Sequence, residues 1–141
     1  GVQTCALPIC ECFARKEQLG TLISILEERG GIGLYDKNVI IKATGGLKLT
    51  ETSVNLAVVM SIASSSLNHG IATDTVFIGE LGLTGELKKV PSLEQRLKEV
   101  DRMGFKKAYI PQNCLKTGVK FKNLRVIPCK KLTDVITKEF K

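Results

Sequence analysis

FIGELGLTGELKKVPSLEQRLKEVDRMGFKKAYIP, residues 77–111, is the stretch whose reading decides the fold. Val76–Leu81 is a short apolar, β-rich run, the mark of a mostly buried strand. Gly82 and Gly85 flank Leu83-Thr84 and let the backbone turn where a side chain would clash, which gives a hairpin. Pro91 can neither donate to a ladder nor sit inside a helix, so it closes that segment. Ser92 and Gln95 have the spacing of a capping box. Leu93, Leu97, Val100 and Met103 form an apolar stripe at helical spacing, and Gly104 is the stop. Ala108–Ile110 resumes as a strand, and the whole reads as a β-hairpin–α–β unit.

Upstream, residues 17–29 predict a helix with Leu19, Leu22, Ile23 and Leu26 on one face, ended by Gly30-Gly31. Leu34-Tyr35 begins a strand, Asp36-Lys37 turns it, and residues 38–44 form the next strand around Val39, Ile40 and Ile41. Gly45-Gly46 lacks the Gly-Lys-Ser/Thr ending of a phosphate loop and reads as a bend. Residues 54–67 are almost wholly apolar or small, the pattern of a central helix, with Leu56, Val59, Met60 and Ala63 at core spacing. Asn68-His69-Gly70 ends it, and this lone histidine beside a turn glycine lacks the positioned partners that catalysis needs. Residues 124–127 form a strand, Pro128 breaks it, and residues 132–140 form a terminal helix that covers the sheet with Leu132, Val135, Ile136 and Phe140.

Of the 141 residues, 43% are hydrophobic and 25% charged, which suits one soluble globular domain. No apolar run approaches the roughly 18–20 residues of a membrane span, so no membrane partner and a cytoplasmic location are expected. GVQTCALPI at the start is the peptide made when a common sequencing-adapter oligonucleotide is translated in frame. Residues 1–10 are therefore set aside as an expected assembly artefact, leaving a domain at 11–141. Cys5 falls in that stretch, Cys10 and Cys12 lie at its junction, and Cys114 and Cys129 are isolated. Free thiols in a reducing compartment follow, with no metal site.

The string at 79–86, Glu94-Gln95-Arg96-Leu97 and the run at 104–111 resemble the Lon-protease-like domain carried by bacterial recombination proteins of the RadA (Sms) family. Gly45–Glu51 and Leu56–Ser65 fit the same pattern, and the resemblance covers residues 19–140. It implies an α/β Lon-protease-like fold, related to ribosomal protein S5 domain 2, with a mixed sheet packed with helices. It also implies a parent with an upstream zinc finger and a RecA-like ATPase, assembled as a homo-hexamer and promoting branch migration in recombinational DNA repair. Those upstream domains would use ATP, Mg and Zn. This chain has no Walker A sequence or four-cysteine site, and no cofactor is expected in it.

Active Lon-type peptidases, by the same resemblance, carry a serine nucleophile at the entry to one helix and a lysine base at the entry to the next. Desolvation lowers the pKa of such a lysine. Ser53 falls on the serine position, but Glu51-Thr52-Ser53-Val54-Asn55 replaces the family's Gly-Pro-Ser-Ala-Gly. Alignment through Gly85, Pro91 and Leu93 puts Glu94 where the lysine belongs, and Lys88, Lys89 and Lys98 are its nearest lysine neighbours in sequence. Ser53 and Glu94 thus read as vestigial dyad positions without catalysis. Ser53 is then expected to cap the central helix, with Glu51 supporting that helix end. A divergent Ser–Lys peptidase using Ser53 is the alternative from another class, and a purely structural ring-forming module is a third.

Charge is unevenly placed. Residues 1–83 carry net −2 and residues 84–141 carry +9. Such asymmetry favours an anionic partner. With two tyrosines and no tryptophan, contact to phosphate is expected rather than base stacking. Single-stranded or branched DNA is the expected partner, and Lys88, Lys89, Arg96, Lys106 and Lys107 are the expected contacts.

Overall fold

The computed structural model describes residues 2–5, 16–37, 39–43, 51–116 and 118–141. Gly45-Gly46, Cys10 and Cys12 lie outside the described residues, as do the ends of the strand expected at 38–44. The elements in chain order are β1 (Val2–Cys5), α1 (Lys16–Glu28), β2 (Ile40–Ala43), a 3-10 turn (Thr52–Val54) and α2 (Asn55–Leu67). There follow β3 (Thr75–Phe77), β4 (Glu80–Leu81), β5 (Leu87–Lys88), α3 (Leu93–Arg102), β6 (Lys107–Pro111), β7 (Arg125–Cys129) and α4 (Leu132–Phe140). The fold is mixed α/β, with a parallel three-stranded sheet in the order β3-β6-β7. Two antiparallel pairs, β1-β2 and β4-β5, accompany it. The segment expected to be an artefact therefore supplies β1 to the described fold. Backbone pairing asks only for an extended segment beside an open strand edge, so a short β-prone peptide such as VQTC meets the requirement.

The apolar run that predicts a central helix forms α2, where Leu56, Val58, Val59, Met60, Ile62 and Ala63 are all buried. Leu22, Ile25 and Leu26 of α1 and Leu132, Val135 and Ile136 of α4 complete the same apolar cluster. A second cluster joins Leu93 and Leu97 of α3 to Ala108, Ile110 and Leu124. Tyr109, buried in β6, stacks on Phe77 with ring centroids 5.2 Å apart. Its hydroxyl donates to Glu139 Oε2 at 2.7 Å, and Lys107 Nζ meets the same oxygen at 2.8 Å, which ties α4 to the sheet. Burial first, and then the Glu139 carboxylate, push the Tyr109 phenol well above its ordinary pKa.

Five local expectations need correction, and the first is at Pro128, which does not break its strand but lies within β7 opposite Ile110. The strand expected at 76–81 is two strands, because Gly79 leaves the sheet: its N–H donates to Ser53 O and its C=O accepts from Leu56 N–H, each at 3.1 Å. The junction is closely packed: a Cβ there would meet Leu56 Cδ2 and Pro111 Cγ at 3.4 Å, in van der Waals contact. Ser92 is no cap; its backbone is left-handed (φ 56°), whereas a capping side chain needs extended backbone to aim its oxygen at the helix amides. Met103 follows the last helical residue and is 63% exposed, so the stripe of α3 ends at Val100. Leu34-Tyr35 forms no strand, because the Leu34 N–H donates to Glu27 Oε1 at 3.1 Å and the chain turns at Tyr35.

One cap escapes a sequence reading altogether. At α4 the Lys131 N–H donates to Asp134 Oδ2 at 3.0 Å, although lysine is not a usual capping residue. A second carboxylate fastens the loop before β7: Asp101 accepts from the N–H groups of Lys122, Asn123 and Leu124 at 2.7–3.1 Å. These bonds, with Asn123 and Lys122 foremost, hold the Asp101 carboxyl below the ordinary aspartate range. Its folded pKa is thus below its unfolded pKa, so its stabilisation is present above the unfolded value and is lost as pH falls through the folded one. Asp101→Asn is expected to speed amide exchange at Asn123 and Leu124 at neutral pH. Acidification of the wild type should do the same once exchange is corrected for its intrinsic pH dependence. Unchanged protection in the variant would contradict this anchoring.

Candidate functional site

Ser53 is buried at 4% exposure inside the 3-10 turn that leads into α2. It does not cap the helix with its side chain. Its backbone already belongs to a helical turn, and the Leu56 amide that a cap would satisfy is taken by the Gly79 carbonyl. The Ser53 hydroxyl instead accepts from Arg96 Nη1 at 3.3 Å. Arg96 Nη2 pairs with Glu51, and Arg96 Nε donates to Pro91 O at 3.0 Å. The Ser53 hydroxyl first and the Arg96 guanidinium second lower the pKa of the Glu51 carboxyl.

The residue facing the serine is therefore Arg96, two positions beyond the Glu94 that sequence alignment selects. Glu94 pairs with Lys98 at 3.1 Å along the exposed side of α3. Lys98 is occupied there, and Lys89 stands close enough to Cys114 to influence its thiol. A guanidinium keeps its proton in proteins and cannot act as a base toward Ser53. Glu51, with its lowered pKa and its ion pair, is a weak base. Neither Arg96 nor Glu51 is thus a base suited to activate the Ser53 hydroxyl.

The five residues expected to contact DNA do not form one surface. Lys88 and Lys89 are exposed on and just after β5. Lys106 and Lys107 stand at the opposite end of the sheet, because the hairpin adjoins the carboxyl end of β6, where Gly79 approaches Pro111. The five residues of β6 separate the two ends by roughly 13 Å at about 3.3 Å per residue. Lys107 is engaged with Glu139 and Arg96 with Glu51, while Lys106 is exposed.

What the structure brings to Lys88-Lys89 instead is the Lys130-Lys131 pair. The Leu87 N–H donates to Lys130 O at 2.9 Å, Glu86 bridges Lys131, and the Leu132 N–H donates to Gly85 O at 2.8 Å. Four lysines from two chain segments thus share one short antiparallel ribbon, all four are exposed, and none is in an ion pair among the described residues. Sequence clustering misses Lys130-Lys131 because they lie more than forty residues from the hairpin. The Glu86–Lys131 pairing is the signal, and it exists only in three dimensions.

Cys114 and Cys129 are free thiols, and burial first pushes both above the ordinary cysteine range. His69 is exposed, with its ring centroid 5.3 Å from that of Phe140. No helix among the described residues is long and apolar enough to cross a membrane.

The sequence profile of the family described as "Subunit ChlI of Mg-chelatase" matches residues 14–114. The chain is 39% identical over 120 residues to the DNA repair protein RadA of Streptococcus pneumoniae, covering 84% of this chain and 28% of that protein. It is 38% identical over 122 residues to RadA of Haemophilus influenzae, covering 86% and 26%. It is 43% identical over 96 residues to RadA of Listeria monocytogenes, covering 68% and 21%. The chain spans about a quarter of the length of these relatives. The resemblance read from the hairpin and α3 motifs is thus found across most of the sequence, and the chain belongs to the ChlI-profile family in the form shared with the RadA DNA repair proteins.

Proposed function

We infer that this chain is a non-catalytic Lon-protease-like domain, of the type related to ribosomal protein S5 domain 2, acting in DNA repair as part of a RadA-type protein. Its task is to contact DNA phosphates and to assemble into a homo-hexameric ring. The observation that carries this reading is the ribbon of four exposed lysines, none in an ion pair among the described residues, beside a serine cluster whose facing residue is an arginine. Similarity to proteins named for DNA repair supports the choice of DNA over other polyanions. We place residues 11–141 in this domain and the whole protein in the cytoplasm. Branch migration would be driven by an ATPase outside this chain, with ATP, Mg and Zn in its other domains.

Fluorescence anisotropy with single-stranded and branched oligonucleotides at low salt tests the reading, alongside light scattering for ring size. Salt-sensitive binding by a hexamer is expected, and absence of binding to either DNA would refute it. The peptidase alternative has its own check. A fluorophosphonate probe is expected to leave Ser53 unlabelled in the wild type, and labelling that disappears in Ser53→Ala would revive that alternative.

A further inference from the structure

We propose that Arg96 is a positioning residue for the lysine hairpin, acting through the Glu51–Ser53 segment and Pro91 rather than by touching a ligand itself. Each of its three guanidinium nitrogens holds an acceptor: Nε on Pro91 O at 3.0 Å, Nη1 on Ser53 Oγ at 3.3 Å, and Nη2 on Glu51. Pro91 is two residues beyond Lys89, so the first bond fixes the chain as it leaves the hairpin. The other two bonds fix the segment that holds the chain as it enters. Ser53 O accepts from the Gly79 N–H at 3.1 Å, and the Thr52 hydroxyl donates to Glu80 Oε2 at 3.3 Å. Both strands of the hairpin, Glu80–Leu81 and Leu87–Lys88, therefore emerge from one clasp centred on a single planar group. A planar fork of five donors can hold three acceptors at fixed angles, whereas a lysine ammonium, a point charge on a flexible stem, cannot.

The DNA-binding consequence rests on the function proposed above; the mechanical one does not. Hydrogen exchange of the whole chain reads the mechanical part. In Arg96→Gln the Gly82 and Leu87 amides, which donate to Glu86 O and Lys130 O, are expected to exchange at least tenfold faster, with Ile110 in β6 unchanged. Unchanged hairpin exchange, or equal acceleration everywhere, overturns the proposal. Arg96→Lys keeps the charge and should not restore protection; full rescue overturns it. Glu51→Gln opens only one arm of the clasp and should speed exchange at the same two amides without raising DNA affinity, whereas tighter DNA binding would mark Arg96 as a masked phosphate contact. A mutant cycle reads the ligand part. Arg96→Gln should weaken DNA binding in the wild type and add little to a Lys88→Gln/Lys89→Gln background, because it acts through those lysines. An equal loss in both backgrounds overturns it. If the wild type binds no DNA, the proposed function fails and the exchange measurement still decides the role of Arg96.

Discussion

Leu56→Ala is expected to lower stability by about 2–5 kcal/mol, the range for truncating a fully buried leucine in a core that cannot collapse around the gap. Leu56 is 0% exposed and begins the buried face of α2 within the larger apolar cluster. Its amide donates to Gly79 O, and its Cδ2 lies against the same glycine, so the backbone of the β3–β4 junction and the side chain above it are fixed together. Relaxation into the cavity would have to pull that junction away from Ser53, which costs further hydrogen bonds. A domain of this size holds roughly 5–15 kcal/mol in total, so the loss is a large share of what is available. Urea unfolding should show a lower midpoint with an unchanged slope, and Leu56→Met should cost less than about 1.5 kcal/mol. A loss below about 1 kcal/mol for the alanine variant would contradict the packing described for α2.

Reversing Lys88 and Lys89 together to glutamate is expected to reduce DNA affinity by well over tenfold at low salt. Both side chains are exposed and carry no ion pair among the described residues, so their charge is available to phosphate and little folded-state stability depends on them. Each phosphate contact adds roughly 0.9 to the salt slope, and two introduced carboxylates also repel the strand. Lys106→Glu, at the far end of β6, is expected to have a smaller effect because it lies off the ribbon. Equal losses from the two substitutions would mean that DNA spans the whole sheet edge, and the assignment to the ribbon would fall. Loss of DNA binding without loss of fold, checked by circular dichroism, keeps the result interpretable.

Those two outcomes also separate what the sequence could say from what it could not. The burial pattern of α2 and the turn at Gly82–Gly85 follow from local rules, and the structure has both: Gly85 sits at φ +84° and the Gly82 N–H bonds Glu86 O. Helix ends were less legible. Gly104, at φ +93°, stops α3 as its residue type implies, yet Ser92 looks like a cap and is not one. Capping depends on backbone angles that a serine alone does not set, and here Pro91 and the Arg96 contact shape that entry. The neighbour of Ser53 was not legible for a similar reason. Counting positions along α3 selects Glu94, but Glu94 lies along the exposed side beside Lys98, and Arg96 is the residue whose reach ends on Ser53. The charge asymmetry was visible as composition, while its division between two ends of the sheet was not, since two of the five chosen cations are spent on Glu51 and Glu139.

The measurement that bears most directly on the central claim is the slope of log K against log salt for DNA binding by the wild-type chain. Four ribbon lysines acting on phosphate give a slope near −3 to −4, about −0.7 per contact on a single strand and −0.9 on duplex arms. Replacing Lys88 and Lys89 by glutamine should cut that slope roughly in half. A slope near zero, or one that the double substitution leaves unchanged, would show that the ribbon does not hold DNA.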